Sequence, residues 1–105
     1  MQLADVKTAL LTVTSNVHHF DATGAIGNYI VWAEDGQADS VWADGKMLEQ
    51  TITGTIDYFT KIEYDPNFVA IQTALNAIRI SYLLNSIQYE ILTKYIHYEW
   101  VFEIG

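Results

Sequence analysis

The sequence predicts an α+β fold, a mainly antiparallel sheet of about four to five strands with two helices packed on one face. Three observations predict it. Residues 95–104 alternate strictly, with Ile96, Tyr98, Trp100, Phe102 and Ile104 set against Tyr95, His97, Glu99, Val101 and Glu103. That is the period of two that a strand presents to its two faces. Phe68, Ile71, Leu75 and Ile78 recur at spacings of three, four and three, the stripe of a helix. The segments run helix, strands, helix, strands, the order of helices segregated to one side of an antiparallel sheet.

Residues 3–13 place Leu3, Val6, Leu10 and Val13 on one side at helical spacing, and the turn formers Thr14, Ser15 and Asn16 end that helix. Residues 17–20 read as a short strand and 21–24 as a loop. Residues 28–34 (NYIVWAE) form a strand apolar on both faces, Tyr29, Val31 and Ala33 on one and Ile30 and Trp32 on the other. Such a strand is expected inside a sheet or covered on both sides. Residues 35–46 (DGQADSVWADGK) carry two Asp-Gly pairs, which favour left-handed turns and predict a loop or an extended hairpin arm. Residues 48–60 return as one long strand, Leu48, Ile52, Ile56 and Tyr58 alternating with a Thr-rich face that includes Thr51, Thr53 and Thr55.

Asp65 before Pro66 supplies an N-cap and a first helical position. The helix that follows runs to about Ile78, and Ala70, Ala74 and Ala77 let it approach a sheet closely. Residues 86–92 put Ile87, Tyr89 and Ile91 on one strand face, joined to 95–104 as a hairpin through Thr93 and Lys94. The candidate core is accordingly Leu10, Val31, Ile52, Ile56, Phe68, Ile71, Leu75, Tyr98, Trp100 and Phe102.

A chain of 105 residues without internal repeats or low-complexity spacers is read as one domain, 1–105. A domain of that size buries roughly two-thirds of the surface its unfolded chain exposes. Cysteine is absent, which suits a reducing cytoplasm. The opening Met1-Gln2-Leu3-Ala4-Asp5 is not a basic-then-apolar leader, and no apolar run approaches the ~20 residues of a membrane span, so a soluble protein is expected. Thirteen acids against five bases give a net charge of −8. Lys7, Lys46, Lys61, Arg79 and Lys94 are too scattered for a basic patch, which argues against binding of nucleic acid through its phosphates. Half the chain is apolar and only 17% is charged, against about 25% in ordinary domains. A small domain cannot hide all of that surface in itself, so part of it is expected to face a partner.

No constellation of catalytic residues emerges. His18 and His19, adjacent on a strand, point to opposite faces, so only one could join His97 in a metal site; with no cysteine, acids from elsewhere would have to complete it. Glu34, Asp35, Asp39 and Asp44 lack the ligand order of a calcium loop. Glu99 and Glu103 share a strand face with roughly 13 Å between them, too far for paired-carboxylate hydrolysis. Together with Glu90 they read as a solvated sheet face. The serines show no nucleophile elbow and the glycines no phosphate cradle. The expectation is a protein that is not an enzyme and uses neither metal nor cofactor. The candidate interface is the arm, Asp35, Asp39, Val41, Trp42, Asp44 and Lys46, with Val41-Trp42 as its apolar contact on a neighbouring subunit. The alternative is an ordinary hairpin loop whose tryptophan folds back on its own core.

The order of a DVKTAL helix, an NYIVW strand, an acidic loop ending ADGK, the strand TITGTIDYFTK, a helix opened by Asp-Pro and a closing YEWVFEIG strand resembles the small tail terminator and head-tail joining proteins of long-tailed phages and Gram-positive prophages. The resemblance spans roughly Asp5 to Gly105 and rests on element order and phrasing, not on a chemical signature. It implies a structural subunit that closes into a homo-oligomeric ring, hexameric in form, at the head-proximal end of the tail tube. Such a ring stops tube polymerisation and meets both the tail tube protein and the head-completion or connector proteins, with DNA only as passing cargo. The implied location is the virion, after assembly in the bacterial cytoplasm. Two alternatives stand beside it: a head-completion or other minor tail subunit, and a small ligand- or peptide-binding α+β module whose pocket is lined by Thr51, Thr53 and Thr55.

Overall fold

The structure is a computed structural model that describes residues 2–38, 41–43 and 46–105, with side chains for 2–38 and 50–105. Its elements in chain order are α1 (Leu3–Leu11), β1 (Val17–His19), β2 (Tyr29–Gln37), β3 (Val41–Ala43), β4 (Lys46–Glu49), β5 (Ile52–Thr60), α2 (Asn67–Ala77), β6 (Ser81–Glu90) and β7 (Tyr95–Ile104). Five strands make one sheet in the order β1-β2-β5-β7-β6, and β3 and β4 pair as a separate two-stranded ribbon. Every neighbouring pair in the large sheet is antiparallel except β1 with β2. The fold is α+β with both helices on one face, as the sequence predicts.

Register explains which face is buried. Ile30 lies opposite Tyr58, which lies opposite Tyr98; Trp32 lies opposite Ile56, which lies opposite Trp100. These rows point at the helices, where Val6 and Leu10 of α1 and Ile71 and Leu75 of α2 are fully buried among them. Of the candidate core, Leu10, Ile56, Ile71, Leu75, Tyr98, Trp100 and Phe102 are buried, while Ile52 and Phe68 pack against the core partly exposed. Val31 is not part of it. It belongs to the opposite face with Tyr29 and Ala33, because Ile30 and Trp32 take the helix side. Apolar residues fill all of positions 29–33, so the alternation that fixes a face in other strands is missing here.

Several boundaries differ from the sequence expectation, each for a local reason. The first helix stops at Leu11, where the Thr12 hydroxyl donates to the Ala9 carbonyl at 2.6 Å, although Val13 still packs on the core. The strand expected over 48–60 is interrupted at Gln50 and Thr51: β4 pairs with β3 while β5 pairs with β2. The strand expected to begin at Ser86 begins at Ser81. A register shift between Leu84 and Ser86 changes the phase of the alternation, so the two halves of β6 do not read as one pattern. The hairpin to β7 closes through a turn in which Lys94 takes a left-handed φ of 62° and its N–H donates to the Glu90 carbonyl at 2.7 Å.

A buried polar hub joins β5 to α2. Asp65 is 5% exposed. Its Oδ2 accepts from the Tyr58 and Thr60 hydroxyls, each at 2.7 Å, and its Oδ1 accepts from the Asn67 N–H at 2.9 Å. The Asn67 amide in turn donates to the Tyr58 oxygen at 3.1 Å. Asp65 therefore caps α2, with Pro66 already helical, and also satisfies two hydroxyls inside the core. Burial, the largest influence, pushes the Asp65 pKa up, yet the three hydrogen bonds outweigh it and hold the group below the ordinary carboxylate value. Burial likewise pushes the Tyr58 phenol to about 12, with the bond to Asp65 adding to the rise.

Gly54 is required by close approach. A Cβ there would overlap both the Ala33 carbonyl oxygen and the Phe102 ring, and the backbone oxygen cannot rotate away. Gly54→Ala is expected to cost about 1–3 kcal/mol, the usual range for overpacking. Urea unfolding that leaves the midpoint unmoved would show that the strands can separate to admit it.

Candidate interaction surface

Strand β6 forms one edge of the sheet. Natural sheets blunt such edges with lysine, proline, short strands or bulges, because an open edge is a template for another chain. β6 is ten residues long, holds neither lysine nor proline, and carries Glu90 as its one charged residue. The register shift at Asn85 is its single blunting device. The opposite edge, β1, is three residues long and is stopped by Phe20 in a left-handed conformation.

Apolar side chains gather along β6 and at one end of the sheet. Leu83, Ile87 and Tyr89 are each more than half exposed on β6. The turn beyond it presents Ile91 and Leu92, the latter 99% exposed, and the β5–α2 connection presents Ile62 and the 89% exposed Tyr64. The turn and the connection lie at the same end because Ile96, at the start of β7, pairs with Thr60, at the end of β5. This is where the apolar residues that a small core cannot absorb come to the surface. The sequence offered a weak signal for them: Ile87, Tyr89 and Ile91 read there as one strand face, with nothing to say that no helix covers it.

The arm leaves from the opposite end of the sheet. There the Ala38 N–H donates to the Thr51 carbonyl at 2.9 Å, and the Gln50 amide donates to the Gln37 oxygen at 2.8 Å. Beyond these contacts β3 and β4 pair antiparallel, Trp42 opposite Met47 and Ala43 opposite Lys46. Of the predicted interface residues, Asp35 sits exposed on β2 and accepts from the Thr53 hydroxyl at 2.8 Å. Asp39 and Asp44 lie outside the described residues, as do the side chains of Val41, Trp42 and Lys46, so only the backbone of the arm is placed. Over its long axis the molecule spans 52 Å, against 26 and 22 Å across it.

The helix-free face of the sheet is aromatic at one end and acidic further along. Tyr29 stacks on Phe59 with centroids 4.8 Å apart, and Phe59 stacks on His97 at 4.2 Å. Beside His97 lie Asp57 and Glu99, directly opposite one another on β5 and β7. His97 Nε2 is 2.7 Å from Asp57 Oδ1, and this hydrogen bond raises the His97 pKa against the opposing effect of partial burial. His18 and His19 do not join it: His18 bonds to Asn16 Oδ1, and His19 stacks on Trp32 and bonds to Glu34. Thr53 lines an open groove of about 410 Å³ with Asp35 and Tyr82, and Thr51 lines a different one, so the expected threonine pocket is divided. A further groove of about 390 Å³ runs between the helices, lined by Ala9, Ala74, Ala77 and Ile78. Among the described residues no helix is long and apolar enough to cross a membrane.

No model of a known protein family matches this chain, and no curated protein matches it.

Proposed function

We propose that this chain is a structural assembly subunit that self-associates into a ring at the head-proximal end of a phage tail, where it ends tube polymerisation and joins tail to head. The observation that carries the reading is the long, nearly uncharged β6 edge with exposed apolar residues along it and at its turn. The arm at the opposite end supports it, because a joining subunit must offer different surfaces to the tube protein and to the head-completion proteins. A closed ring uses heterologous contacts, in which one patch meets a different patch of the next copy, each burying on the order of 800 Å² per partner. On this reading the chain performs no chemistry. Its charge of −8 per copy is multiplied around the ring, and acids facing the bore repel passing DNA from the wall.

Light scattering behind size exclusion, on the protein alone and with the cognate tail tube protein, tests the proposal. A ring, or a monomer that becomes a ring only with the tube protein, is the expected result. A strict monomer indifferent to the tube protein would sink it and move attention to the groove between the helices, the site of a ligand-binding module. The paired substitutions Leu83→Lys and Ile87→Lys add an internal control. Both side chains are mostly exposed, so the melting temperature should hold, since surface changes stay within about 0.5 kcal/mol. The assembled species should be lost. Assembly undisturbed by two lysines on β6 would show that this edge is not the interface.

A further inference from the structure

The fold brings together what no spacing in the sequence suggests: Asp57 from β5 with His97 and Glu99 from β7, one ligand atom of each lying within 4.8 Å of the others. Two features set this group apart from a scatter of surface acids. Asp57 and Glu99 are directly opposed across neighbouring strands, an arrangement of like charges that costs stability unless something positive sits between them. The imidazole is also held in a set orientation. It stacks on Phe59, its Nε2 faces Asp57, and its Nδ1 faces the Glu90 carboxylate at 3.8 Å. Asn85 fixes Glu99 from the far side by donating to Oε1 at 2.7 Å. All three groups are partly buried, on two interior strands of the sheet, which hold side chains more precisely than loops do.

We propose that Asp57, His97 and Glu99 form a binding site for a divalent first-row transition-metal cation, of which Zn²⁺ is the representative probe. One imidazole and two carboxylates suit such an ion, and three protein ligands leave a further coordination position open. His97 would bind through Nε2, and the Glu90 carboxylate, 3.8 Å from Nδ1, stands on the side from which a second carboxylate orients a ligating imidazole. The cation supplies the positive charge that the opposed Asp57 and Glu99 carboxylates call for.

Calorimetric titration of the full chain with Zn²⁺ at neutral pH tests the site. One saturable Zn²⁺ per chain is expected. His97→Gln should abolish it, and Glu99→Gln should weaken it at least tenfold. Glu99→Gln also removes one of two opposed charges and keeps an oxygen for Asn85, so that variant is expected to fold as well as the parent, as circular dichroism would show. Glu90→Gln, one shell further out, should weaken binding by about tenfold, the low end for such partners. His18→Gln and His19→Gln should leave it unchanged. Absence of saturable binding would overturn the site and leave His97 as a hydrogen-bonded tie between β7 and Asp57 of β5. Binding that survives His97→Gln, or that is lost with His18 or His19 instead, would overturn it equally.

Discussion

Asp65→Ala is expected to destabilise the fold by about 3–7 kcal/mol. The figure combines the cost of stranding buried hydroxyls, ~1–3 kcal/mol each, with that of losing a helix cap, ~1 kcal/mol. Tyr58 and Thr60 would both lose their acceptor inside the core, and the Asn67 N–H would lose its cap. Asp65→Asn should cost less, because an amide oxygen still caps the helix and a hydroxyl can turn to accept from the amide nitrogen. The same carboxylate gives acid sensitivity with a definite sign. Its folded-state pKa lies below the ordinary value, so the unfolded chain takes up its proton first as the pH falls. The stabilisation is complete above the unfolded value of about 3.9, and it is lost as the pH drops through the lowered folded value. Chemical denaturation from pH 7 to pH 2 should show that decline in the parent and a flatter acid limb in Asp65→Asn. Equal slopes in the two proteins would mean that other carboxylates govern acid unfolding.

Trp100→Ala should cost about as much, roughly 3–5 kcal/mol, the range for removing a large aromatic from a core. Trp100 is fully buried, lies between Ile56 and Leu84 on the adjoining strands, and stacks near Phe68 and Tyr98. Its indole N–H donates to Gln72 Oε1 on α2 at 3.1 Å, so the residue ties sheet to helix by packing and by a hydrogen bond. Trp100→Phe separates the two contributions. It keeps most of the packing, and its cost should fall near the ~1 kcal/mol of a single net hydrogen bond plus a small cavity. A cooperatively melting Trp100→Ala protein of near-parental stability would remove Trp100 from the centre of the core.

What could be read from the sequence depended on whether local pattern or long-range register decides a feature. The alternation of β7 and the stripe of α2 are local, and both placed their buried residues correctly. The run of apolar residues through 29–33 separates its two faces but does not say which one the helices cover, and there Val31 was placed in the core in place of Ile30 and Trp32. The bulge at Asn85 broke the pattern that would have shown β6 starting at Ser81. Asp65 was legible as a cap, because its neighbour is a proline, but not as the acceptor for Tyr58 and Thr60, which depends on how β5 turns into α2. The cluster around His97 was hidden for the same reason. From the sequence, the acids that could complete a site at His97 had to come from elsewhere, and no spacing named them. The acid that does so, Asp57, stands forty residues earlier and arrives only through the pairing of β5 with β7.

That pairing also governs how the molecule comes together. β2 and β5 form one ribbon extended by the arm, and β6 and β7 form a second, closed by a tight turn. Each can be nucleated from residues near in sequence. The seam between them, β5 against β7, carries the centre of the core but needs the late strand to insert beside a partner made much earlier. Joining distant segments pays loop-closure entropy before any contact repays it, so refolding is expected on the slow, millisecond-to-second side for a domain this small. Until the seam closes, β5 and β7 each present a bare inner edge far longer than anything the finished sheet leaves open except β6. A nascent or partly unfolded subunit thus exposes strand-accepting edges at β5 and β7 in addition to the β6 edge of the native sheet. Copies meeting in that state are open to exchanging strands instead of docking as finished subunits.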